Sequence, residues 1–403
     1  MTMPDLGNPD TYAAGFPYDE VARLRRDHPV AWIPEPATDD FPGGPGFWYL
    51  TRHAHVMEAS KQPEIFSSAA GGTWIRDVPP AELAIQRQAM LNIDPPEHGS
   101  MRKIVSKAFT PRSVGQMADS ITAHAEQLVD SLGDGGTMDW VDRVSSELPV
   151  LVLADILGVP TEERHKLFDW TNRMVGFDDP EAVDKKSYVS AFLELFAYAR
   201  EKTAEKRANP TNDVWSTVVN AEVDGERLTD EQLDRFFQLL VIAGNETTRN
   251  LLNGALVLLD KHPDQWAALR ADPDLMPQAV EEILRMFPPI MAFRRTCVQD
   301  IELHGQKISA GDKVVLSYAA ANRDEAVFEN PDTFDITRTE NPHLSFGFGT
   351  HFCLGNGVAR LEARTLLNAI FARFPTIELA GEPEYLRSNF VNGITSLPVR
   401  LTR

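Results

Sequence analysis

The chain has 403 residues, 43% of them hydrophobic, and a net charge of −20 at neutral pH. This apolar content can fill a large core, and so negative a field excludes nucleic acid and anionic membrane surfaces as partners. The longest apolar stretches, such as 148–157, fall well short of the ~20 residues needed to cross a bilayer.

The first 18 residues carry Asp, Pro and Gly, with no basic segment leading into an apolar one. The expectation is a cytoplasmic monomer without signal peptide or membrane anchor. No repeat, low-complexity tract or long linker appears, so residues 1–403 read as one domain, with 1–17 as an N-terminal extension. Two cysteines, Cys297 and Cys353, make no disulfide framework and favour a reducing compartment. Cys297 lies in an apolar and basic stretch without ligand spacing and reads as a buried, inert thiol.

In chain order, apolar periodicity predicts helices over 18–27, 113–132, 148–157, 161–175 and 189–206, the last stopped by Asn209-Pro210. Strand-like runs are fewer and shorter: 47–51, 301–303, 313–316 and 397–401. The fold class is mainly α with small β-sheets. One helix stands out. Thr229 opens a T-x-x-Q capping box with Gln232, and no proline follows until Pro263. That predicts about 30 helical residues, roughly 45 Å long. Its middle, 239–244, is apolar almost all round and should be buried on several sides.

The most informative segment is Phe346-Gly347-Phe348-Gly349-Thr350-His351-Phe352-Cys353-Leu354-Gly355. Three glycines in ten residues mean tight turning or close approach, and helical periodicity begins at once afterwards, through Leu361, Leu366, Ile370 and Phe371. Cys353 therefore stands at a helix start, where free N–H groups and the dipole should lower its pKa. Gly349 and Gly355 would let the loop lie close under a flat macrocycle. The F-G-x-G-x-H-x-C-L-G pattern resembles the heme-binding loop of the cytochrome P450 family.

Further motifs follow in that family's order. Ala243-Gly244-Asn245-Glu246-Thr247-Thr248 places a glycine and an acid inside a buried helix, both unfavourable there unless functional. It resembles the A-G-x-[DE]-T-T groove, where a helix distortion makes room for dioxygen. Glu282 and Arg285 form E-x-x-R, and 322–338 resembles the segment that supplies this pair's partner arginine. The resemblance covers 18–400, is strongest to the soluble bacterial class, and implies a triangular, helix-rich domain around a long central helix. Residues 245–250 look like the sterol side-chain hydroxylases, and 316–338 more like the terpineol hydroxylases.

The resemblance implies heme b as cofactor, with Cys353 as axial iron ligand and Phe346, Gly355, Ala243 and Gly244 against the ring. His98, Arg102, Arg295 and His351 would hold its propionates, with Arg294 as the alternative to Arg295. Thr247 would hydrogen-bond the oxygen species on the iron, and Glu246 would relay protons; the other role open to Thr247 is back-bonding to the carbonyl four residues earlier. Substrate would be lined by Trp74, Ile75, Leu239, Ile242, Thr248, Ile290, Ala292, Phe293, Phe390 and Val391, mostly apolar, which suits a terpenoid, steroid or branched lipid. The implied reaction inserts one oxygen atom from O2 into a C–H bond, with electrons from an iron–sulfur ferredoxin and its reductase. Lys103, Lys107, Arg112, Arg360 and Arg364 offer a basic docking face. The competing functions are a P450-type isomerase or dehydratase and a heme protein that only binds ligands.

Overall fold

The computed structural model describes residues 3–38, 43–174 and 185–403. Helices dominate. Tyr18–Asp27, Glu147–Leu157 and Lys185–Ala208 correspond to predicted segments. The segment 113–132 is two helices instead, Pro111–Gln116 and Ala118–Ser131, which meet at Met117. The segment 161–175 opens as a 3-10 turn, Thr161–Glu163, and continues as Arg164–Met174; Val175 lies outside the described residues.

The central helix is Asp230–Lys261, 32 residues, and its capping box is formed. Thr229 Oγ1 accepts the Gln232 N–H at 3.2 Å, and Gln232 Oε1 accepts the Thr229 N–H at 3.0 Å, so two otherwise unpaired donors are satisfied. Its burial differs from expectation. Within 239–244 only Val241 is buried, whereas every residue of 248–259 is. The second half of the helix is core: a Cβ on Gly254 would meet the Phe287 ring at 2.4 Å, so only glycine fits there. The segment 239–244 is apolar because it borders a cavity.

Five strands form the main sheet in the order Val30–Ile33, Phe47–Leu50, Lys313–Ser317, Ala292–Cys297, Phe66–Ser67. Phe47–Leu50 and Lys313–Ser317 run parallel and the other neighbours antiparallel. Pro398–Thr402 pairs with both Gly136–Asp139 and Thr376–Leu379 in a three-stranded sheet. Ile301–Leu303 pairs with Gln306–Ile308, and Glu384–Tyr385 with Ile394–Ser396. Cys297 is fully buried in its strand, as expected of an inert thiol, and burial pushes it up. The N-terminal segment is no mere extension: Leu6, Tyr12 and Phe16 pack into the cluster that holds Phe47, Ala292 and Val315.

The E-x-x-R pair anchors the region beneath the cavity. Glu282 and Arg285 are fully buried and bonded through both carboxylate oxygens, at 2.8 and 2.7 Å. Arg338 Nε, Asn341 Nδ2 and the Asp335 N–H also donate to Glu282, and Arg285 donates to the carbonyls of Asn322, Pro331 and Thr333. The expected partner arginine is thus Arg338. No helix among the described residues is long and apolar enough to cross a membrane.

Candidate active site

The loop that carries Cys353 closes on itself. The Cys353 N–H donates to the Phe346 carbonyl at 2.8 Å, and Asn356 Nδ2 donates to the Cys353 carbonyl at 2.8 Å. Gly347 and Gly349 have φ of 71° and 72°, backbone that a side chain would strain. A Cβ on Gly349 would stand 2.5 Å from the Ser60 carbonyl oxygen. That glycine is therefore required by packing against the chain itself, a different reason from the one expected. Gly355 borders the cavity, and a Cβ there would meet nothing within 4 Å.

The helix after the loop is Asn356–Arg373. Burial pushes the Cys353 thiol up, against the Gly355 and Asn356 amides and the Arg102 and Arg360 charges, all of which act downward. The helix start alone therefore does not lower this thiol, contrary to expectation, because desolvation outweighs the donors. A thiolate here depends on a coordinating metal, which deprotonates its thiol outright.

Beside the loop lies a cluster of cationic side chains. The rings of His98 and His351 are 4.2 Å apart. Arg102, on the Glu97–Val105 helix, donates from Nη2 to the Phe352 carbonyl at 2.6 Å. Burial first, then the Arg102 charge, pushes His98 down to about 4; burial and the Arg295 charge push His351 further. Among the described residues neither Arg102 nor Arg295 has an ion-pair partner, and His98 Nδ1 has no hydrogen-bond partner. The nearby acid, Asp94, is occupied by the Ser67 hydroxyl and the Ser68 N–H.

The buried Arg295 and the half-buried Arg102 call for carboxylates. Two propionates fit, so these residues suit a heme. Strand alternation decides between the two candidate arginines. Arg294 pairs with Asp77 at 2.7 Å and points with Ala292, while Arg295 points with Phe293 toward the histidines.

A cavity of about 410 Å³ lies between this loop and the central helix. Ile242, Ala243, Gly244, Glu246, Thr247 and Thr248 face it from above; Phe346, His351, Cys353 and Gly355 close it below. A Cβ on Gly244 would meet only Leu153 Cδ1, at 3.7 Å, so protein packing does not demand glycine there. The helix runs unbroken through the motif, without the expected distortion. Thr247 Oγ1 donates to the Ala243 carbonyl at 2.8 Å, the back-bond named above as its other role. That bond uses the hydroxyl proton and leaves the oxygen free to accept. Glu246 Oε1 accepts from Asn250 Nδ2 at 2.8 Å, and Arg249 Nη1 lies 3.2 Å from Oε2.

The cavity walls are largely apolar. Trp74 stacks on Phe390 at 5.4 Å, and Phe293 meets Phe390 edge-on at 5.2 Å. Leu239, Ile290 and Val391 complete the predicted lining that faces the cavity, and the Ile290–Val391 bridge holds two of its segments together. Ile75 and Ala292 do not face it. Both are buried in the cluster with Phe47 and Met291; Ala292 alternates away from the cavity side along its strand. Arg295 does not line the cavity but lies close to His98 and His351, which do.

Sequence reading missed Leu153 and Ile156, Phe236, Thr171, Met174, Leu386 to Ser388, and Glu362. Apart from Leu386, which follows the strand Glu384–Tyr385, their apolar members sit in helices whose periodicity signals core equally well. Glu362 is a buried acid on Asn356–Arg373 whose Oε2 has no partner among the described residues, and burial raises its pKa to about 8. A glutamate six residues into a charged helix gives no such signal locally.

The comparisons with known proteins agree with this geometry. The family described as Cytochrome P450 matches residues 153–398. The steroid C26-monooxygenase of Mycolicibacterium smegmatis is 39% identical over 96% of this chain and 91% of its own. The linalool 8-monooxygenase of Pseudomonas putida is 38% identical over 100% of this chain and 99% of its own. The solved structure of a Mycobacterium marinum cytochrome P450 in complex with pseudoionone superposes with a TM-score of 0.87, at 39% identity over 96% of each chain. The chain belongs to the cytochrome P450 family and is a heme-thiolate monooxygenase.

Proposed function

We propose that this enzyme hydroxylates a hydrophobic small molecule of terpenoid, steroid or branched-lipid type, with heme b as cofactor and a ferredoxin as electron donor. The observation that carries this reading is the placement of Thr247 and Glu246 on the same apolar cavity as Cys353. When bound, the heme supplies the redox chemistry of dioxygen. Cys353 would ligate the iron, and Arg102, Arg295, His98 and His351 would hold the propionates. Glu246 would relay protons toward the cavity, and Thr247 Oγ1, already donating to Ala243, would accept a hydrogen bond there. The aromatic wall of Trp74, Phe293 and Phe390 excludes water and orients an apolar substrate. The Glu246–Thr247 pair favours oxygen insertion over an isomerase or dehydratase, which needs no such relay.

For the electron donor, Lys103, Lys107 and Arg112 are exposed, but Arg360 is committed to Glu281 through two hydrogen bonds. The docking face is therefore narrower than the five cations suggest. The test is a substrate-binding spectral titration against terpenes, steroids and fatty acids, followed by NADPH turnover with a ferredoxin and its reductase. A panel member that shifts the spectrum and yields hydroxylated product supports the reading. A reduced CO complex without the thiolate-type absorption shift would sink it.

A further inference from the structure

On the flank of the central helix turned away from the cavity, the polar side chains of a single turn lack partners. Asn245 is completely buried, yet neither its Oδ1 nor its Nδ2 meets a partner among the described residues. Arg249, one turn on and 6% exposed, has the same condition at Nε and Nη2. Neither residue lines the cavity, whereas Glu246 between them does. Glu246 Oε2 itself has only the Arg249 guanidinium at 3.2 Å, without hydrogen-bond geometry.

This is no general looseness of the helix. Asn250 and Asn253, also fully buried, are tied on every side: Asn250 to Glu246 Oε1, the Ile394 N–H and Asn253, and Asn253 to Ser145 and the Ile394 carbonyl. Buried polar groups in native proteins are satisfied, by protein or by ordered water. Groups that both donate and accept, beside an ion pair that is already neutral as a whole, call for water rather than an ion.

We propose that Asn245 and Arg249 line a hydrated pocket behind the central helix that feeds protons to Glu246, with Arg249 as the positioning residue for that carboxylate. This rests on the monooxygenase reading above. That reaction converts R–H, O2, two electrons from the ferredoxin and two protons into R–OH and H2O. Both protons must come from solvent, and the cavity side is apolar and filled by substrate. A route through Asn245 and Arg249 reaches Glu246 from the other flank. Water in the pocket gives a proton to the Glu246 carboxylate and is restored from bulk solvent. Glu246 hands that proton to the cavity side, where Thr247 Oγ1 is free to accept a hydrogen bond. Arg249 fixes the carboxylate rotamer and favours its return to the charged form, ready for the next proton.

The test uses the heme-loaded enzyme with linalool or testosterone, whichever shifts its spectrum, and the variants Arg249→Met, Arg249→Lys, Asn245→Leu and Glu246→Gln. A high-resolution crystal structure is expected to hold ordered waters on Asn245 and Arg249. Arg249→Met should divert electrons from product to peroxide about tenfold and raise the solvent isotope effect on turnover, with the substrate Kd and the CO spectrum unmoved. Arg249→Lys should restore most of the coupling. Combining Arg249→Met with Glu246→Gln should be no worse than Glu246→Gln alone.

A dry pocket, an unchanged isotope effect or additive losses would overturn the proposal. Should Arg249→Met fail to fold, Asn245→Leu carries the test, since it blocks water without touching Glu246. If Glu246→Gln itself leaves coupling intact, the relay role of Glu246 fails. If only Glu246→Gln uncouples, this route alone fails.

Discussion

Glu282 and Glu246 share a local pattern, each a glutamate in a helix with an arginine three residues on. Around Glu282 the pattern is complete. Arg285 grips both carboxylate oxygens, Arg338 and Asn341 add further donors, and Arg285 spends its remaining N–H groups on three carbonyls. Around Glu246 it is incomplete. Arg249 approaches one oxygen at 3.2 Å and keeps two unpartnered nitrogens, and the carboxylate borders a cavity. The same i, i+3 spacing thus serves two ends. A closed network holds one conformation and carries fold; an open one retains capacity for further partners, which is what the proposed proton route requires.

The largest effect expected from this comparison is on stability. Arg285→Met removes one partner of a fully buried pair and should cost about 3–5 kcal/mol, read as a lower denaturation midpoint and poor heme loading. Arg249→Met, at the same spacing, should cost less, about 1–3 kcal/mol, because its contact with Glu246 lacks hydrogen-bond geometry. Equal losses at the two sites would erase the distinction.

Next comes Glu362, buried and unpartnered. Its carboxyl, raised from 4.5 to about 8, keeps a proton in the folded state that the unfolded chain releases. Between those values the folded chain binds more protons, so stability should fall as pH rises. Glu362→Gln should flatten that slope and gain on the order of 2 kcal/mol at pH 8. Melting temperatures of the heme-loaded protein between pH 5 and 8 (on the order of the window above) measure this; parallel curves for the two proteins would contradict it. The smallest change in stability belongs to Thr247→Ala, which removes one side-chain hydrogen bond at the cavity edge and should cost below about 1 kcal/mol. Its effect should appear in coupling of NADPH to product. Unchanged coupling would leave the hydroxyl with its back-bond and no relay role.

Much of the site is legible in the amino-acid order because its signals are local. The capping box of Thr229 and Gln232 depends on residues three apart. Cys353 precedes a helix because glycines and helical periodicity adjoin it. Motif order points to the segment 322–338, and the structure selects Arg338 within it. Other assignments depend on neighbours distant in sequence. Ala292 and Phe293 are adjacent and both apolar, yet opposite faces of one strand send the first into the core and the second to the cavity. The helix segment 239–244 reads as buried, and it is apolar for the other reason that apolar residues occur together, to line a cavity.

The cysteine loop, the A-G-x-E-T-T motif, the central helix and the family were all readable from residue order, since each rests on residue types at fixed short spacing. Only the tertiary structure decided that Arg295 rather than Arg294 joins His98 and His351, that burial raises the Cys353 thiol, and that Glu282 is closed while Asn245 to Arg249 is open. The reason is physical. Periodicity states which face a residue occupies, but desolvation and pairing depend on what folds against that face.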